Sequence, residues 1–422
     1  NFQFSIFNSQ LIDDVLVSSF RAPHSFTGED TVEISCHGSI YIQKKIVELL
    51  IENGAKMATA GEFTQRAFLN GKIDLSQAEA VADLIQSENE ASQRLAMKQL
   101  RGDVSNKIKE LREQLLDFSV LLELELDFSE EDVEFADRKR LKNLLQQINS
   151  EVEALLKSFK SGNAVKNGIL VTIIGAPNVG KSTLLNALLN DDRALVSEIP
   201  GTTRDTVEDE ITLNGTKFRF IDTAGIRETD DYVEALGIKR SLKAAKEADV
   251  ILLVVDGQKT KVNKSLETTT LSTKLISLLE ERKDKKVLIV NNKIDLQNDN
   301  VIANNTQDYF GNELLHNDDN FSYINISAKQ KIGIEDIIIE LIHYSQMLNS
   351  NNTLISNVRH FEALQNAKQS LEKVCRGFEQ HLPSDLIAID VKYVSQALAS
   401  IVGAITTENI LGEIFGKFCI GK

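Results

Sequence analysis

Between the apolar run Ile169–Ile174 and a helix-period segment at 184–189, the chain reads Gly175-Ala176-Pro177-Asn178-Val179-Gly180-Lys181-Ser182-Thr183. This G-x-x-x-x-G-K-[ST] spacing, directly after a strand and before a helix, lets successive backbone N–H groups converge on phosphate oxygens at a helix N-terminus. Lys181 reaches the outer phosphates, the Ser182 hydroxyl ligates Mg²⁺, and Val179, Gly180 and Thr183 belong to the same cradle. Asn178 is ambiguous on its own, because asparagine also serves simply to tolerate a turn. A strand that must pass through such a loop into a helix restricts the fold around it. Further apolar runs at 218–221, 250–255, 287–290 and 323–326 alternate with amphipathic segments. The alternation predicts an α/β domain on a mostly parallel sheet covered on both faces.

The remaining motifs stand at the ends of those strands or in the loops between them. Thr203, within Gly201-Thr202-Thr203-Arg204-Asp205, is placed to be the second hydroxyl ligand of Mg²⁺. Asp222-Thr223-Ala224-Gly225 follows the 218–221 strand, where the carboxylate holds the metal through water and the Gly225 N–H senses a γ-phosphate. Asn292-Lys293-Ile294-Asp295 follows the 287–290 strand. A carboxylate there accepts both the ring N–H and the exocyclic amine of guanine, a donor pair that adenine lacks. Ser327, Ala328 and Lys329 supply backbone contacts to the base edge. Five motifs in this order predict a Ras-like GTPase domain that binds GTP with Mg²⁺. Hydrolysis needs an oriented water and positive charge on the transferred phosphoryl group. The residues after Gly225 are Ile226 and Arg227, so the glutamine that orients water in Ras-like enzymes is absent. Glu234 is either the acid that replaces it or an exposed acid on a helix.

At 422 residues, and roughly 150 per domain, the chain is long enough for about three domains. Residues 1–70 read as a small α+β unit, with a strand at 32–35 and a helix at 41–51 stopped by Asn53-Gly54. Residues 71–164 read as helical, opening on a capping box at Ser76-Gln77-Ala78-Glu79. Residues 165–345 form the GTPase domain. Residues 346–422 are helical again, with a linker at 349–352 and Pro383 placed to open a helix. The helices before and after the sheet can then pack as one bundle interrupted by an insertion. Cys36, Cys375 and Cys419 have no metal-like spacing, and no apolar run is long enough to span a bilayer, so a cytoplasmic chain without a membrane role is expected. The formal charge of -15 argues against a nucleic-acid partner, although residues 346–422 carry seven basic and seven acidic side chains.

With these motifs placed, the whole length resembles the bacterial tRNA-modification GTPase family, MnmE or TrmE. The residues that carry the resemblance are Ser25-Phe26-Thr27-Gly28-Glu29-Asp30, the stretch Gly61-Glu62-Phe63-Thr64-Gln65-Arg66-Ala67-Phe68-Leu69-Asn70-Gly71-Lys72, residues 75–80 and 201–205, and the ending Phe418-Cys419-Ile420-Gly421-Lys422. The resemblance implies a GTPase domain inserted into an α-helical bundle domain, preceded by a folate-binding α+β domain. The latter is expected to be partial here, because nothing before Phe2 corresponds to the family's Gly-rich start. It also implies that Asn178, Ser197, Ile199 and Thr202 bind K⁺ when two GTPase domains meet, and that Glu234 orients water. Glu33, Lys72 and Lys422 fall on positions that contact 5,10-methylene- or 5-formyl-tetrahydrofolate. Cys419 falls on the cysteine needed for modification; otherwise it would read as a small buried hydrophobe, and Lys422 as a solvated terminal lysine.

The reaction so implied is GTP-dependent modification of tRNA wobble uridine at carbon 5, with an aminomethyl or carboxymethylaminomethyl product. It would be performed by a homodimer in a heterocomplex with MnmG, an FAD-dependent partner. The neutral 346–422 stretch, or the partner, would then carry the tRNA phosphate contacts. The rival is a GTP-regulated assembly or scaffold switch, for example ribosome-associated, with no carbon chemistry. The Cys419 to Lys422 ending and the Glu33 and Lys72 pair discriminate against it.

Overall fold

In the segment before the phosphate loop, strand propensity and turn chemistry act over short range. The computed structural model describes residues 2–5, 11–128, 138–191, 195–196, 209–221, 243–257, 285–296, 320–349, 353–404, 408–416 and 418. Strands β1 (Phe2–Ser5), β2 (Leu11–Phe20) and β3 (Thr31–Ser35) form an antiparallel sheet in that order. Helix α1 (Ile40–Glu52) ends at Asn53, as its Asn-Gly stop predicts. Helix α2 (Glu62–Leu69) follows, and then α3 (Leu75–Gln86).

The cap of α3 corrects the sequence expectation. The capping box is Asp74 with Gln77, not Ser76 with Glu79: the Asp74 side chain accepts from Gln77 N, and the Gln77 side chain accepts from Asp74 N. Aspartate is as good an N-cap as serine, and starting the helix two residues earlier frees Ser76 and Glu79 for tertiary bonds. Ser76 pairs with Ser105 at 2.9 Å. Glu79 is buried and meets residues almost three hundred positions later.

Helices α4 (Glu90–Leu100), α5 (Asp103–Phe128) and α6 (Arg138–Asn167) complete the first helical stretch. α6 continues to Asn167, past the compositional break expected from residue 163. Strand β4 (Ile169–Ile174) then starts a seven-stranded sheet with β5 (Leu195–Val196), β6 (Asp209–Leu213), β7 (Thr216–Ile221), β8 (Val250–Asp256), β9 (Lys286–Asn292) and β10 (Phe321–Asn325). The order is β10-β9-β8-β4-β7-β6-β5. The five strands expected from apolar runs are mutually parallel, while β6 and β5 are antiparallel additions at one edge. In β6, Glu210 and Thr212 alternate with buried Ile211 and Leu213, so it has no continuous apolar run to find. The central strands are buried almost throughout, with Ile169, Val171, Val250, Leu252, Leu288 and Val290 each at most 1% exposed. Helices α7 (Lys181–Leu189) and α8 (Ile334–Asn349) pack Leu184, Leu188, Ile337 and Leu341 into the same core.

The chain ends in α9 (Val358–Glu379), α10 (Ser384–Val402) and α11 (Glu408–Phe415), with Pro383 at the N-cap of α10 as expected. The chain divides into two compact units, one of Asn1–Ser87, Ala96–Lys157 and Asn357–Lys422, the other of Glu88–Leu95 and Ser158–Ser356. The first therefore gathers helices that precede and follow the sheet in chain order. Within it α10 packs on α9, α5 and α3. Glu79 of α3 accepts from Arg359 Nε and Nη2 at 2.8 Å each, and His360 Nε2 lies 2.7 Å from Glu79 Oε2. Arg359 also donates to the Ser400 and Ile401 carbonyls in the last turn of α10. Burial alone would raise the Glu79 carboxyl, but the hydrogen bonds of Arg359 and then His360 overcome it and hold the pKa at about 2.

Candidate functional site

The site is built where parallel strands end. β4 runs into the 175–180 loop, whose turn needs Asn178 at φ +64° and Gly180 at φ +99°. A Cβ at Gly180 would collide with Asn292 Nδ2, so only glycine lets the loop approach β9. Lys181 opens α7, and its Nζ donates to the Gly175 and Ala176 carbonyls at 3.0 and 2.9 Å, lying along the loop that must hold phosphate. Burial lowers its pKa. Ser182 is half-buried next to it, and Thr183 and Asn178 are exposed. A hydroxyl beside phosphate oxygens is the hard donor set that suits Mg²⁺.

Asn292, at the end of β9, is 3% exposed and joins three of the sequence motifs. Its Nδ2 donates to Val179 O at 2.8 Å, and its Oδ1 accepts from Lys293 N at 2.8 Å and from Ala328 N at 3.0 Å. Both polar atoms of its side chain are thus bonded inside the protein, which ties the phosphate loop to the segment at Ala328. Lys293 has φ +69° and its Nζ is 2.8 Å from Asp256 Oδ2 at the end of β8. Asp295 lies half-buried in a 3-10 turn at Ile294–Leu296. Ser327 closes a bridge to Ile332 and its Oγ accepts from Gln330 N; Ala328 is buried and Lys329 is exposed. The structure thus brings together Val179, Gly180, Lys181, Asn292, Lys293 and Ala328. Sequence reasoning missed Asp256, although a carboxylate at the C-terminal end of a parallel strand was a signal for it.

Ser197, Ile199, Gly201, Thr202, Thr203, Asp222, Thr223, Ala224, Gly225, Glu234, Cys419 and Lys422 lie outside the described residues. Of the residues expected at the folate site, Glu33 is exposed on β3 opposite Ser18, and the Lys72 ammonium is held by Pro23 O at 2.9 Å. Beside them, Asn70 Nδ2 donates to Thr27 O and Glu29 Oε1, and Arg66 Nη1 to Glu29 Oε2. These bonds, that of Asn70 foremost, lower the Glu29 pKa. The motif residues of 25–30 and 61–72 therefore act first on one another. Phe415 and Phe418 pack with Leu75 and Ala78, and a Cβ at Gly61 would lie 2.8 Å from Phe415 O.

A family model described as the MnmE helical domain matches residues 75–419, and one described as GTP-binding protein TrmE N-terminus matches residues 3–72. The tRNA modification GTPase MnmE of Flavobacterium johnsoniae is 51% identical over 421 residues, covering 98% of this chain and 87% of that protein. The chain belongs to the MnmE family. Its MnmE relative in Bacteroides fragilis strain YCH46 is 46% identical over 423 residues, covering 99% of this chain and 88% of the relative. The G domain of the T. maritima FeoB iron transporter is 24% identical, covering 42% of this chain and 99% of that one with a TM-score of 0.26. The MnmE architecture of a TrmE N-terminal domain, a helical domain and a P-loop sheet is the fold class read from the sequence. Among the described residues no helix is long and apolar enough to cross a membrane.

Proposed function

We propose that the chain hydrolyses GTP at the 175–182 loop and that this hydrolysis drives tRNA wobble-uridine modification. The coarse activity, a GTPase of tRNA modification, follows from membership of the MnmE family. The observation that supports the site assignment is Asn292, whose side chain bonds Val179 O in the phosphate loop, Lys293 N and Ala328 N, so that three of the motifs meet at one residue.

In the finer reading, Lys181 and the loop N–H groups bind the phosphates and Asp295 reads guanine. Ser182 and Thr203 hold Mg²⁺, which neutralises charge on the β- and γ-phosphate oxygens. Asn178, Ser197, Ile199 and Thr202 hold K⁺ on pairing of two GTPase domains, so that cation replaces an arginine finger; Glu234 orients the attacking water. The exposure of Asn178 leaves its side chain accessible to K⁺, while its positive φ is what the turn itself asks of asparagine. Glu33, Lys72 and Lys422 bind the tetrahydrofolate that donates the one-carbon unit, Cys419 serves the modification, and the homodimer works in the cytoplasm with the FAD-dependent MnmG partner.

The test is GTP turnover by the full chain in KCl and in NaCl at equal ionic strength. Turnover should be faster in K⁺, and Glu234→Ala should keep GTP affinity while losing turnover. Equal rates in the two salts would remove the cation, and unchanged turnover in the variant would make Glu234 a surface acid.

A further inference from the structure

Asp256 ends β8 directly opposite Asn292 in the parallel register, at the same sheet edge as the phosphate loop. Its side chain is only 9% exposed, and that of its partner Lys293 is 29% exposed. Desolvating a carboxylate and an ammonium together is costly, so such a pair is weak evidence for a contribution to stability. What it does is fix direction. The Lys293 backbone is already pinned, its N–H on Asn292 Oδ1 and its carbonyl on Leu296 N, while Gly257 N donates to Asn292 O. With the ammonium tied to Asp256 as well, the four-carbon stem between is held at both ends. It is an apolar strip two residues before Asp295. A lysine free at its tip would sample many rotamers and offer a purine no defined surface.

We propose that Asp256 is a positioning residue of the guanine site, holding the Lys293 ammonium so that the Lys293 stem forms one wall of the base pocket beside Asp295. This rests on the reading of residues 292–295 as the guanine-recognition turn. The group is specific to the base end of the nucleotide, so its loss should act on affinity and leave the phosphoryl-transfer step alone.

The experiment measures binding of N-methylanthraniloyl-GDP and steady-state GTP hydrolysis by the full chain. Asp256→Ala should weaken binding and raise KM by about tenfold, with kcat at saturating GTP within about twofold of the parent. Asp256→Asn, which keeps an acceptor but not the charge, should show an intermediate loss and serves if the alanine variant does not fold. Lys293→Met should lose affinity by a similar factor, and adding Asp256→Ala to it should change affinity by less than about twofold, because the two act through one contact. Unchanged KM, even with a lowered Tm, or fully additive losses would overturn the proposal. A parent protein that binds the adenine analogue as tightly as the guanine one would instead refute the guanine reading itself.

Discussion

Glutamine in place of Glu79 keeps the shape of a buried side chain and removes its charge. The carboxylate is held by Arg359 and His360 with its pKa taken from 4.5 to about 2. At about 1.4 kcal/mol per pH unit of pKa, the charged form stabilises the folded state by about 3 kcal/mol. The depressed pKa sets the sign: the stabilisation is complete above the unfolded value near 4.5 and is lost as pH falls through about 2. Roughly 3–5 kcal/mol is also the usual cost of removing one partner from a buried pair. Because α3 and α9 are joined here across 280 residues of sequence, the loss should appear in both helices. Hydrogen exchange of α3 and α9 amides at pH 7 should report opening free energies lower by about 3 kcal/mol in Glu79→Gln. Urea unfolding of the two proteins should converge between pH 4.5 and pH 2. A loss below about 1 kcal/mol at pH 7, the range of an exposed pair, would show that the Glu79 charge does not hold α3 to α9. So would a gap that does not narrow with acid.

Two further variants probe the nucleotide site. Gly180→Ala combines positive-φ strain of roughly 1–2 kcal/mol with disruption of the Asn292 to Val179 bond, a buried hydrogen bond worth roughly 1–3 kcal/mol, so N-methylanthraniloyl-GDP affinity should fall by about 100-fold; affinity within about threefold of the parent would contradict it. Asp295→Asn should weaken GTP and shift preference toward xanthosine triphosphate in competition binding, since an amide cannot accept both guanine donors; an unaltered preference would remove the guanine assignment.

What the sequence could show followed from how far each determinant reaches. β4, β8 and β9 are nearly continuous apolar runs buried on both faces, so composition alone marks them; β7 and β10 are half-buried on one face but keep short apolar stretches, whereas Glu210 and Thr212 interrupt β6 and hide it. The loop from Gly175 to Ser182 is legible because its backbone conformation requires glycine at position 180. The cap of α3 was misplaced by two residues because Asp74, Ser76 and their partners offer overlapping patterns, and only the tertiary bonds of Ser76 and Glu79 choose between them. Partners separated by hundreds of residues, such as Glu79 with Arg359, leave no local pattern at all. Asp256 was overlooked for another reason: its role comes from strand register beside Asn292, which a list of motifs does not contain.

Nucleotide turnover at the phosphate loop is proposed to drive tRNA modification. Mass analysis of wobble uridine should therefore be made on tRNA from cells whose sole copy carries Lys181→Ala, which removes the ammonium lying along the loop. The C5-modified nucleoside should be lost, with Cys419→Ser giving the same loss while GTP hydrolysis persists. Full modification in the Lys181→Ala cells, with hydrolysis abolished in the purified variant, would contradict that proposal.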